Sequence, residues 1–494
     1  MKFARFLVAG ILFLLPLSAE AAMQKSFEVS GWIPYWRAAT GTADVLPNLD
    51  KLTEVNPFVY TLKSDGTLLD NAKLDREPWV TLRAEAKKRN IRFIPTVMTS
   101  NGALVHTLLS NSRSRIALED TIANLVKEKG FDGIDIDFEG KKAETKAYFS
   151  TFLKGLYMRL GTKWLMCTIE SRTPLDSRYY GAEIPKDAQI YANDFKEINK
   201  YCDRVRIMTY DQQGIDLRLT ADAASSSRLY APVADPHWVE KVVALVSKDI
   251  SKDKLMIGVP TYGYEYEVTA YEGPEYLYDI LWTFNPGYAR PIAEQYGITP
   301  ARNSAGELYF TYTEDSTAPV SAGMRAADLA AQAAVLYANT NKSHLSFRLM
   351  DWPDYVSVEQ KINLAKQLGV RGISIFKLDG GQDPKIWEVL GRSSVSSGVV
   401  STPVSATFSR TLTLGSLGED VRALQVFLNR DTRTYIAENG PGSPGRETTR
   451  FGSLTLRAVQ KFQQLYGIAS PGTPGFGVVG PATRAKLNQI LQTL

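Results

Sequence analysis

Short apolar runs alternate with amphipathic stretches from residue 27 to about residue 392. Such runs are typical of strands that helices cover on both faces. The predicted strands are Phe27–Trp36, Pro57–Leu62, Arg92–Met98, Gly133–Glu139, Trp164–Ser171, Arg204–Tyr210, Lys254–Tyr262 and Arg371–Leu378. Apolar positions at helical spacing predict helices over Trp79–Arg89, Ser114–Lys129, Glu144–Leu160, Pro236–Ser247 and Val358–Leu368.

This alternation predicts the α/β class and a (β/α)8 TIM barrel. A doubly wound open sheet is the alternative, and it is less favoured because no strand is followed by a GxGxxG turn. The seventh and eighth strands are separated by far more chain than the other pairs, and residues from about 267 to 345 are rich in tyrosine and turn residues. We expect a small α+β insertion there, before the eighth strand and beside the barrel mouth.

The first residues have the pattern of a secretory signal peptide. Lys2 and Arg5 precede the uncharged run Phe6–Leu17, and Ala19-Glu20-Ala21 supplies small residues around a cleavage site. The alternative is a membrane anchor, but the run is shorter than the roughly 20 residues that span a bilayer. We expect residues 1–21 to be removed and the mature protein to be exported without a membrane span.

Two further segments follow the predicted barrel, which we place at residues 22–392. Residues 393–407 contain six serines and no charged residue, a composition that indicates a linker. Residues 408–494 predict a separate all-α module of three helices, the first within Leu412–Leu428 and the second at Thr455–Leu465. The third begins at Gly480, with Pro481 at its first position.

Composition narrows the class of protein. A chain of 494 residues is too long for one typical domain, and a net charge of +4 gives no sign of a nucleic-acid partner. Two cysteines and three scattered histidines argue against a thiolate zinc site and a metalloenzyme, so we expect no metal and no cofactor. The 24 tyrosines, 20 phenylalanines and 8 tryptophans, together with many carboxylates, suit a carbohydrate site.

The two cysteines, Cys167 and Cys202, fall on or near neighbouring predicted strands. They could pair in an oxidising compartment. However, bridges between parallel neighbouring strands are uncommon, and spacing alone does not establish proximity. We therefore expect two buried free thiols.

The segment from Asp132 to Glu139 reads Asp-Gly-Ile-Asp-Ile-Asp-Phe-Glu. Strand side chains alternate between two faces, so Asp135, Asp137 and Glu139 share one face. In a barrel they would point inward, with Glu139 nearest the carboxyl-terminal rim where such enzymes have their active sites. Crowded carboxylates share protons and have raised pKa values, which suits a general acid. A calcium loop is disfavoured because it requires polar residues where isoleucine and phenylalanine stand here.

This motif resembles the DGxDxDxE signature of glycoside hydrolase family 18, the family of chitinases and related N-acetylglucosaminidases. Later segments resemble the family's strands in the same order: Met208–Asp211 (MTYD), Lys254–Tyr266 (KLMIGVPTYGYEY) and Gly372–Phe376 (GISIF). The second of these is similar to the peptidoglycan-directed, spore-cortex-type branch. The resemblance covers about residues 27–390. It departs at Phe376, where the family usually has a tryptophan with greater ring area.

The resemblance implies retaining, substrate-assisted hydrolysis. Glu139 would protonate the glycosidic oxygen while the sugar's own 2-acetamido oxygen attacks the anomeric carbon. Asp137 would orient the acetamido N–H, Asp135 would tune the protonation of Asp137, and Tyr210 would donate a hydrogen bond to the acetamido oxygen. The candidate substrate-binding residues are Asp211, Tyr35, Trp36 and Phe376.

Three segments of the C-terminal module resemble the peptidoglycan-binding-domain-1 family of cell-wall anchors. They are LGSLGEDVRALQ, FGSLTLRAVQKFQ and VVGPATRAKL. A Gly/Pro-rich loop at Asn439–Gly445 is longer than the compact form of that family. A three-helix interaction module with another ligand is the alternative.

Together these features predict a secreted, cell-wall-associated bacterial enzyme that cleaves β-1,4 linkages next to N-acetylglucosamine in peptidoglycan. A chitinase or chitooligosaccharide hydrolase is the first alternative. A non-catalytic wall-bound lectin is the second, and it is less favoured because such lectins usually lose the glutamate that stands here as Glu139. We expect peptidoglycan or chitin-type N-acetylated glycans as partners and a monomeric protein.

Overall fold

The computed structural model describes residues 27–224, 228–273, 275–314, 326–394, 408–429, 432–437, 442–443 and 447–491. The predicted signal peptide and nearly all of the predicted linker lie outside these residues. The chain divides into two compact units, Met1–Ser397 and Gly398–Leu494. Within the described residues, no helix has both the length and the apolar composition that a bilayer-spanning helix requires.

Within the described residues of the first unit, parallel strands form a barrel with eight strand positions. The barrel is closed because the first strand pairs with both the second and the last. The third position consists of two short strands. The closed barrel confirms the predicted fold class and excludes the open sheet. In chain order the strands up to the seventh position are β1 (Glu28–Pro34), β2 (Glu54–Leu62), the hairpin strand β3 (Leu68–Asp70) outside the barrel, β4 (Arg92–Phe93), β5 (Thr96–Thr99), β6 (Gly133–Phe138), β7 (Trp164–Glu170), β8 (Arg204–Met208) and β9 (Leu255–Pro260).

Helices surround the barrel and cover the apolar outer faces of its strands. Those that precede the insertion are α1 (Ala38–Val45), α2 (Trp79–Lys88), α3 (Gly102–Ser110), α4 (Ser112–Lys129), α5 (Lys146–Leu160), α6 (Leu175–Arg178), α7 (Phe195–Tyr201), α8 (Leu217–Ala224) and α9 (Pro236–Val246). Short 3-10 helices lie at Tyr35–Arg37, Leu46–Lys51 and Ala143–Thr145.

The third predicted strand, Arg92–Met98, is interrupted where the sequence pattern predicted one run. β4 ends at Phe93 and β5 begins at Thr96, on either side of Pro95. Proline has no N–H to donate to a neighbouring strand, so the ladder breaks there. The pairing with β2 shifts in register at the same level.

The strand that carries the acidic motif, β6, is held in place at its start and on its outer face. Gly130 ends α4 in the left-handed conformation (φ 63°), which lets the chain turn into Asp132. The Asp132 carboxylate accepts the Phe93 N–H at 2.8 Å. On the outer face, Phe138 stacks against Phe152 of α5 at 5.7 Å between ring centroids. The apolar side chains of the motif therefore face the helices, and its carboxylates face the barrel interior.

An α+β insertion follows β9, as predicted, and its elements run from residue 263 to residue 352 rather than from 267 to 345. Its described strands form an antiparallel sheet in the order β11-β10-β14-β13-β12. The elements are β10 (Gly263–Ala270), β11 (Tyr276–Phe284), α10 (Pro286–Gln295), β12 (Ala301–Arg302), β13 (Leu308–Tyr312), α11 (Leu329–Asn341) and β14 (Leu345–Trp352). The first unit then ends with α12 (Tyr355–Leu368), the closing barrel strand β15 (Gly372–Phe376) and α13 (Ile386–Ser394).

The second unit is helical, as predicted. Its described part contains α14 (Glu419–Leu428), a 3-10 turn at Thr432–Thr434, α15 (Ser453–Leu465) and α16 (Pro481–Leu491). Two buried glutamines repeat one arrangement. The Gln425 amide donates to Thr455 Oγ1 at the start of α15, and the Gln463 amide donates to Thr483 Oγ1 at the start of α16, both at 2.9 Å. Each helix thus fixes the beginning of the next one.

The expectation of two free thiols is wrong. Cys167 in β7 and Cys202 just before β8 form a disulfide, with their Cα atoms 5.9 Å apart and both residues fully buried. Cys202 lies two residues before Arg204, the first residue of β8 that pairs with β7, and its sulfur bonds to Cys167 on that neighbouring strand. The bridge closes the segment that contains α6, α7 and the loop after β7.

We predict that replacing both cysteines with alanine lowers the free energy of unfolding of the barrel by about 4 kcal/mol. The bridge spans a sequence separation of 35 residues, and its loss restores the corresponding loop-closure entropy to the unfolded chain. The measurement is denaturant unfolding followed by tryptophan fluorescence. All eight tryptophans lie between Trp32 and Trp387, so the signal reports only this unit.

The control is the wild-type protein unfolded with and without a reductant. The reductant should lower its midpoint to that of the double variant. A loss below about 1 kcal/mol in the double variant would show that the bridge adds little stability to the barrel.

Candidate active site

The three carboxylates of the motif occupy the barrel interior and its carboxyl-terminal rim. Asp135 and Asp137 are 0% and 4% exposed, and Glu139 is partly exposed just beyond the end of β6. The Glu139 N–H donates to the Thr99 carbonyl at 2.8 Å, which keeps this residue aligned with the strand. The alternation that the sequence predicted therefore brings all three acids to one side of β6.

Asp135 lies deepest and is held by groups from four other strands. Its Oδ2 accepts hydrogen bonds from Trp32 Nε1 at 3.1 Å and Thr96 Oγ1 at 2.8 Å, and its Oδ1 accepts one from Thr168 Oγ1 at 2.9 Å. The fourth group is the Arg206 guanidinium of β8, with Nη1 2.9 Å from Asp135 Oδ2. Asp135 is therefore fixed in position and faces a positive charge.

Arg206 is not among the site residues that the sequence predicts. Its side chain is fully buried and lies between Asp135 and Glu54, contacting both carboxylates. Burial raises the pKa of Asp135 to about 6 and lowers the pKa of Arg206 to about 9, so both groups are charged near neutral pH. A usable signal was present, because strand alternation places Arg204, Arg206 and Met208 on one face of β8.

From Arg206 the ion pairs continue to the amino-terminal end of the barrel, opposite the rim that carries Glu139. Arg92 joins Glu54 at 2.9 Å and Glu28 at 2.8 Å. Glu28 also pairs with Arg204 and Arg371. Burial alone would raise the pKa of Glu28, but these arginines lower it to about 2. Charges of alternating sign thus connect the innermost acid of the motif to the opposite end of the barrel.

Asp137 and Glu139 have a different environment. The pKa of Asp137 lies well above its usual range because the residue is buried and faces the charges of Glu139 and Asp135. No described group donates a hydrogen bond to its buried Oδ1. The pKa of Glu139 is also raised, first by burial and then by the charges of Glu170 and Asp211. Asp137 and Glu139 therefore retain a proton more readily than ordinary carboxyl groups do.

Glu170, at the end of β7, helps to raise the pKa of Glu139. Burial would raise its pKa, but Lys141 and two hydrogen-bond donors lower it, so Glu170 stays ionised. It accepts hydrogen bonds from the Gly140 N–H at 2.9 Å, Lys141 Nζ at 3.2 Å and Asn193 Nδ2 at 3.0 Å. Glu170 therefore holds the loop that follows Glu139, and its negative charge favours the protonated form of that acid.

Aromatic rings form the floor beside the acids. Tyr210 stacks on Phe376 with centroids 5.7 Å apart, and Phe376 also meets the edges of Trp32, Phe58 and Tyr262 at about 6 Å. Burial and the charge of Asp137 raise the pKa of Tyr210 well above its usual value. Its hydroxyl therefore remains a neutral donor at any working pH.

The insertion contributes Tyr264 to the site, where this tyrosine binds Asp211. Asp211 has a left-handed backbone (φ 57°), and its carboxylate accepts hydrogen bonds from the Tyr262 hydroxyl and from Tyr264 Oη, the latter at 2.6 Å. Tyr264 belongs to β10, the first strand of the insertion. The sequence pattern singled out Asp211 but gave no sign that these two tyrosines orient it.

A cleft of about 410 Å³ opens above this floor. Its lining includes Trp36, Asp211, Tyr264 and Phe376. Three of the four predicted substrate contacts therefore share one cavity. Tyr35, the fourth, is not among the lining residues and packs edge-on against Trp36 at 4.9 Å.

The arrangement combines a carboxyl of raised pKa at the rim, a buried carboxyl behind it and a neutral hydroxyl over an aromatic floor. These groups can protonate a leaving oxygen and stabilise a positive charge that develops beside it. Within the described part of the chain, no group of three or more His, Cys, Asp or Glu side chains has the arrangement of a metal site.

Known proteins share both units. Residues 31–381 match the family described as Glycosyl hydrolases family 18, and residues 418–487 match a peptidoglycan binding domain. The uncharacterized glycosylase YvbX of Bacillus subtilis (strain 168) is 24% identical over 354 residues, which are 70% of this chain and 88% of that protein.

Solved structures share the barrel. The spore cortex-lytic enzyme SleL of Bacillus megaterium QM B1551 matches with a TM-score of 0.54 at 19% identity, over 75% of this chain and 74% of that chain. A class V chitinase from Pseudomonas fluorescens Pf-5 has the same TM-score and identity, over 75% of this chain and 100% of that chain. Because the family match covers most of the sequence and includes the acidic row on β6, the chain belongs to glycosyl hydrolase family 18 and carries a peptidoglycan-binding domain at its C-terminal end.

Proposed function

We propose that this protein is a secreted hydrolase that cleaves β-1,4 linkages next to N-acetylglucosamine in cell-wall peptidoglycan. The observation that carries the proposal is that one chain combines the inward-facing acids of β6 with a peptidoglycan-binding domain at residues 418–487. The buried Cys167–Cys202 disulfide supports export, because such bonds persist in oxidising compartments.

In the proposed mechanism, Glu139 gives its proton to the glycosidic oxygen as the bond to the anomeric carbon breaks. The acetamido oxygen of the same sugar forms the new bond to that carbon, which yields an oxazolinium ion. Water then opens this ion and loses a proton to Glu139, so the β configuration is retained. The raised pKa of Glu139 suits the first of these steps, because the group must be protonated at neutral pH.

Asp137 and Tyr210 would act on the acetamido group. The Tyr210 hydroxyl would donate to the acetamido oxygen and aim it at the anomeric carbon. Asp137 would accept the acetamido N–H with its unpartnered oxygen and offset the positive charge of the oxazolinium ion. Asp135, fixed by Arg206, would set the protonation state of Asp137 and would not touch the sugar.

Chitin is the second candidate substrate, since the barrel is also similar to a chitinase structure. Both polymers present an acetamido group at the reacting sugar, so the acids alone do not separate them. Product analysis on purified peptidoglycan and on chitin, run side by side, tests the assignment. Release of soluble fragments from chitin only would favour the second candidate.

We predict that Glu139→Gln lowers kcat by at least a hundredfold while folding and glycan binding remain. The change is nearly isosteric and removes the transferable proton, and general acid catalysis contributes about 10² to 10⁴ in rate. The measurement is turnover of a soluble N-acetylglucosaminide, together with circular dichroism and a binding assay.

Glu128→Gln on α4 is the matched control, since Glu128 is exposed and lies near the end of the helix that leads into the start of β6, at the opposite end of that strand from Glu139. It should retain full activity. Activity of Glu139→Gln within about tenfold of wild type would exclude Glu139 as the acid. An inverted product anomer would exclude the substrate-assisted mechanism.

We predict that Arg206→Gln shifts the pH profile of kcat/KM upward by about one pH unit. Removing a buried positive charge raises the pKa of Asp135, Asp137 and Glu139, because their ionised forms lose a favourable interaction. The alkaline limb moves up because Glu139 keeps its proton longer. The acidic limb moves up because Asp137 ionises later.

Arg206→Lys keeps the charge and should keep the wild-type profile even if its rate falls. This second variant matters because breaking one side of a buried ion pair costs about 3–5 kcal/mol of stability. A profile unchanged in both variants would show that Arg206 acts on folding alone.

We predict that truncation at about residue 395 leaves turnover of small soluble glycosides unchanged, because the removed part forms a separate compact unit. On insoluble sacculi the same truncation should lower binding and rate, since tethering raises the local substrate concentration by about 10² or more. The isolated C-terminal module should sediment with sacculi and not with chitin. Equal sedimentation with both polymers, or with neither, would contradict the peptidoglycan assignment.

A further inference from the structure

A second cleft lies at the carboxyl-terminal rim, beside the end of β7 that carries Glu170. It has a volume of about 420 Å³ and is lined by the rim after β7, including Lys141, Glu170, Arg172, Arg178, Tyr191 and Asn193. Lys141 and Glu170 also flank Glu139 and pair with each other at 3.2 Å. The first cleft thus opens beside the Tyr210–Phe376 pair, and the second opens beside the Lys141–Glu170 pair, whose charges act on the proposed acid Glu139.

The position of the second cleft assigns it to the leaving group. In the proposed mechanism the reacting sugar lies over Tyr210 and Phe376, with its acetamido group at Asp137. Glu139 protonates the oxygen between that sugar and the next one. The next sugar consequently extends past Glu139 and away from Tyr210, which is the direction of the second cleft.

The guanidinium of Arg172 is fixed in position, and one of its nitrogens has no hydrogen-bond acceptor among the described residues. Its plane lies over the Tyr191 ring, with Cζ 3.4 Å from the ring centroid, and Nη2 donates to the Ala188 carbonyl at 3.0 Å. No described group accepts a hydrogen bond from the buried Nη1. A stacked guanidinium keeps a fixed orientation and presents its remaining donors to an anion such as a carboxylate.

Arg178, in α6, adds a second positive charge to the same cleft. It is exposed, and it is close enough to Arg172 to help lower the pKa of that guanidinium, after burial as the main cause. Within the described ranges, neither arginine forms an ion pair with an acidic residue. The acids that line the cleft are Glu170, which is ionised and paired with Lys141, and the exposed Asp187.

Arg172 Nη1 is buried without an acceptor, and Arg178 adds a second positive charge, so an anionic ligand in this cleft would make favourable contacts with both arginines. Chitin would place a neutral N-acetylglucosamine in this cleft. Peptidoglycan would place muramic acid there, which carries a lactyl carboxylate or, attached to it, a peptide with free carboxylates. The charge of the cleft therefore distinguishes the two polymers where the catalytic acids do not.

We propose that Arg172 and Arg178 form a carboxylate-recognition site for the leaving-group side of the substrate and select peptidoglycan over chitin. This inference rests on the proposed function, and it adds the chemical feature of the substrate that this barrel reads. Arg172 supplies the oriented donors, and Arg178 supplies further positive charge at the cleft edge. The site belongs to the barrel itself and is independent of the C-terminal module.

The experiment measures kcat/KM of the full-length protein on three soluble substrates of equal glycan length. The first is a peptidoglycan fragment with its peptides attached. The second is the same fragment after an amidase has removed the peptides, which leaves lactyl carboxylates. The third is a neutral chitooligosaccharide. The quantity of interest is the ratio of kcat/KM on each anionic substrate to kcat/KM on the neutral one.

The double variant Arg172→Gln/Arg178→Gln should lower that ratio about tenfold or more, and 0.5 M salt should lower it in the wild type. Arg172→Lys/Arg178→Lys, which keeps both charges, should recover part of the ratio. Arg113→Gln, an exposed arginine on α4, is the matched control and should leave the ratio unchanged. A larger effect on the first substrate identifies the peptide carboxylates as the ligand, and a larger effect on the second identifies the lactyl group.

Three results would overturn the inference. The first is an unchanged ratio in the glutamine double variant when circular dichroism shows that it is folded. The second is an equal loss on anionic and neutral substrates, which would indicate a structural role for the arginines. The third is a wild-type protein that cleaves only the neutral oligosaccharide. A wild-type protein that cleaves none of the three would instead reject the proposed function itself.

Discussion

The burial of carboxylates along β6 is the constraint on which the rest of the barrel depends. An acid as deep as Asp135 is costly to bury unless an opposite charge and hydrogen bonds accompany it. Arg206 provides that charge from β8, and Trp32, Thr96 and Thr168 provide the hydrogen bonds from β1, β5 and β7. Arg206 in turn requires Glu54, and the series of ion pairs continues to Glu28 at the barrel floor.

This charge balance divides the acidic row into two parts with different tasks. All three acids have raised pKa values, but Arg206 compensates Asp135, whereas Asp137 and Glu139 face the negative charge of Glu170, which Lys141 keeps ionised. In the proposed mechanism the raised pKa of Glu139 favours a protonated acid at the rim, where the leaving oxygen needs a proton. The roles that we propose for these acids therefore follow their positions along one strand.

Two long connections shape what lies around the acids. The insertion after β9 brings Tyr264 to Asp211 and so joins its own sheet to the rim of the candidate active-site cleft. The segment after β7 carries Arg172 and Arg178 and is closed by the Cys167–Cys202 bridge. Loops that bind substrate have few buried contacts of their own, so covalent closure and packing on the barrel limit their motion.

The sequence by itself determined the strand and helix alternation, the inward face of Asp135, Asp137 and Glu139, and the presence of an insertion and a helical module, because periodicity encodes which face of an element is buried. It did not determine which residues meet across the barrel. Arg206 reaches Asp135 from a strand two positions away, Tyr264 reaches Asp211 from the insertion, and Cys167 bonds to Cys202. Such pairs arise from strand register and closure, and only the tertiary structure decides them, since local spacing carries no information about partners distant in the chain.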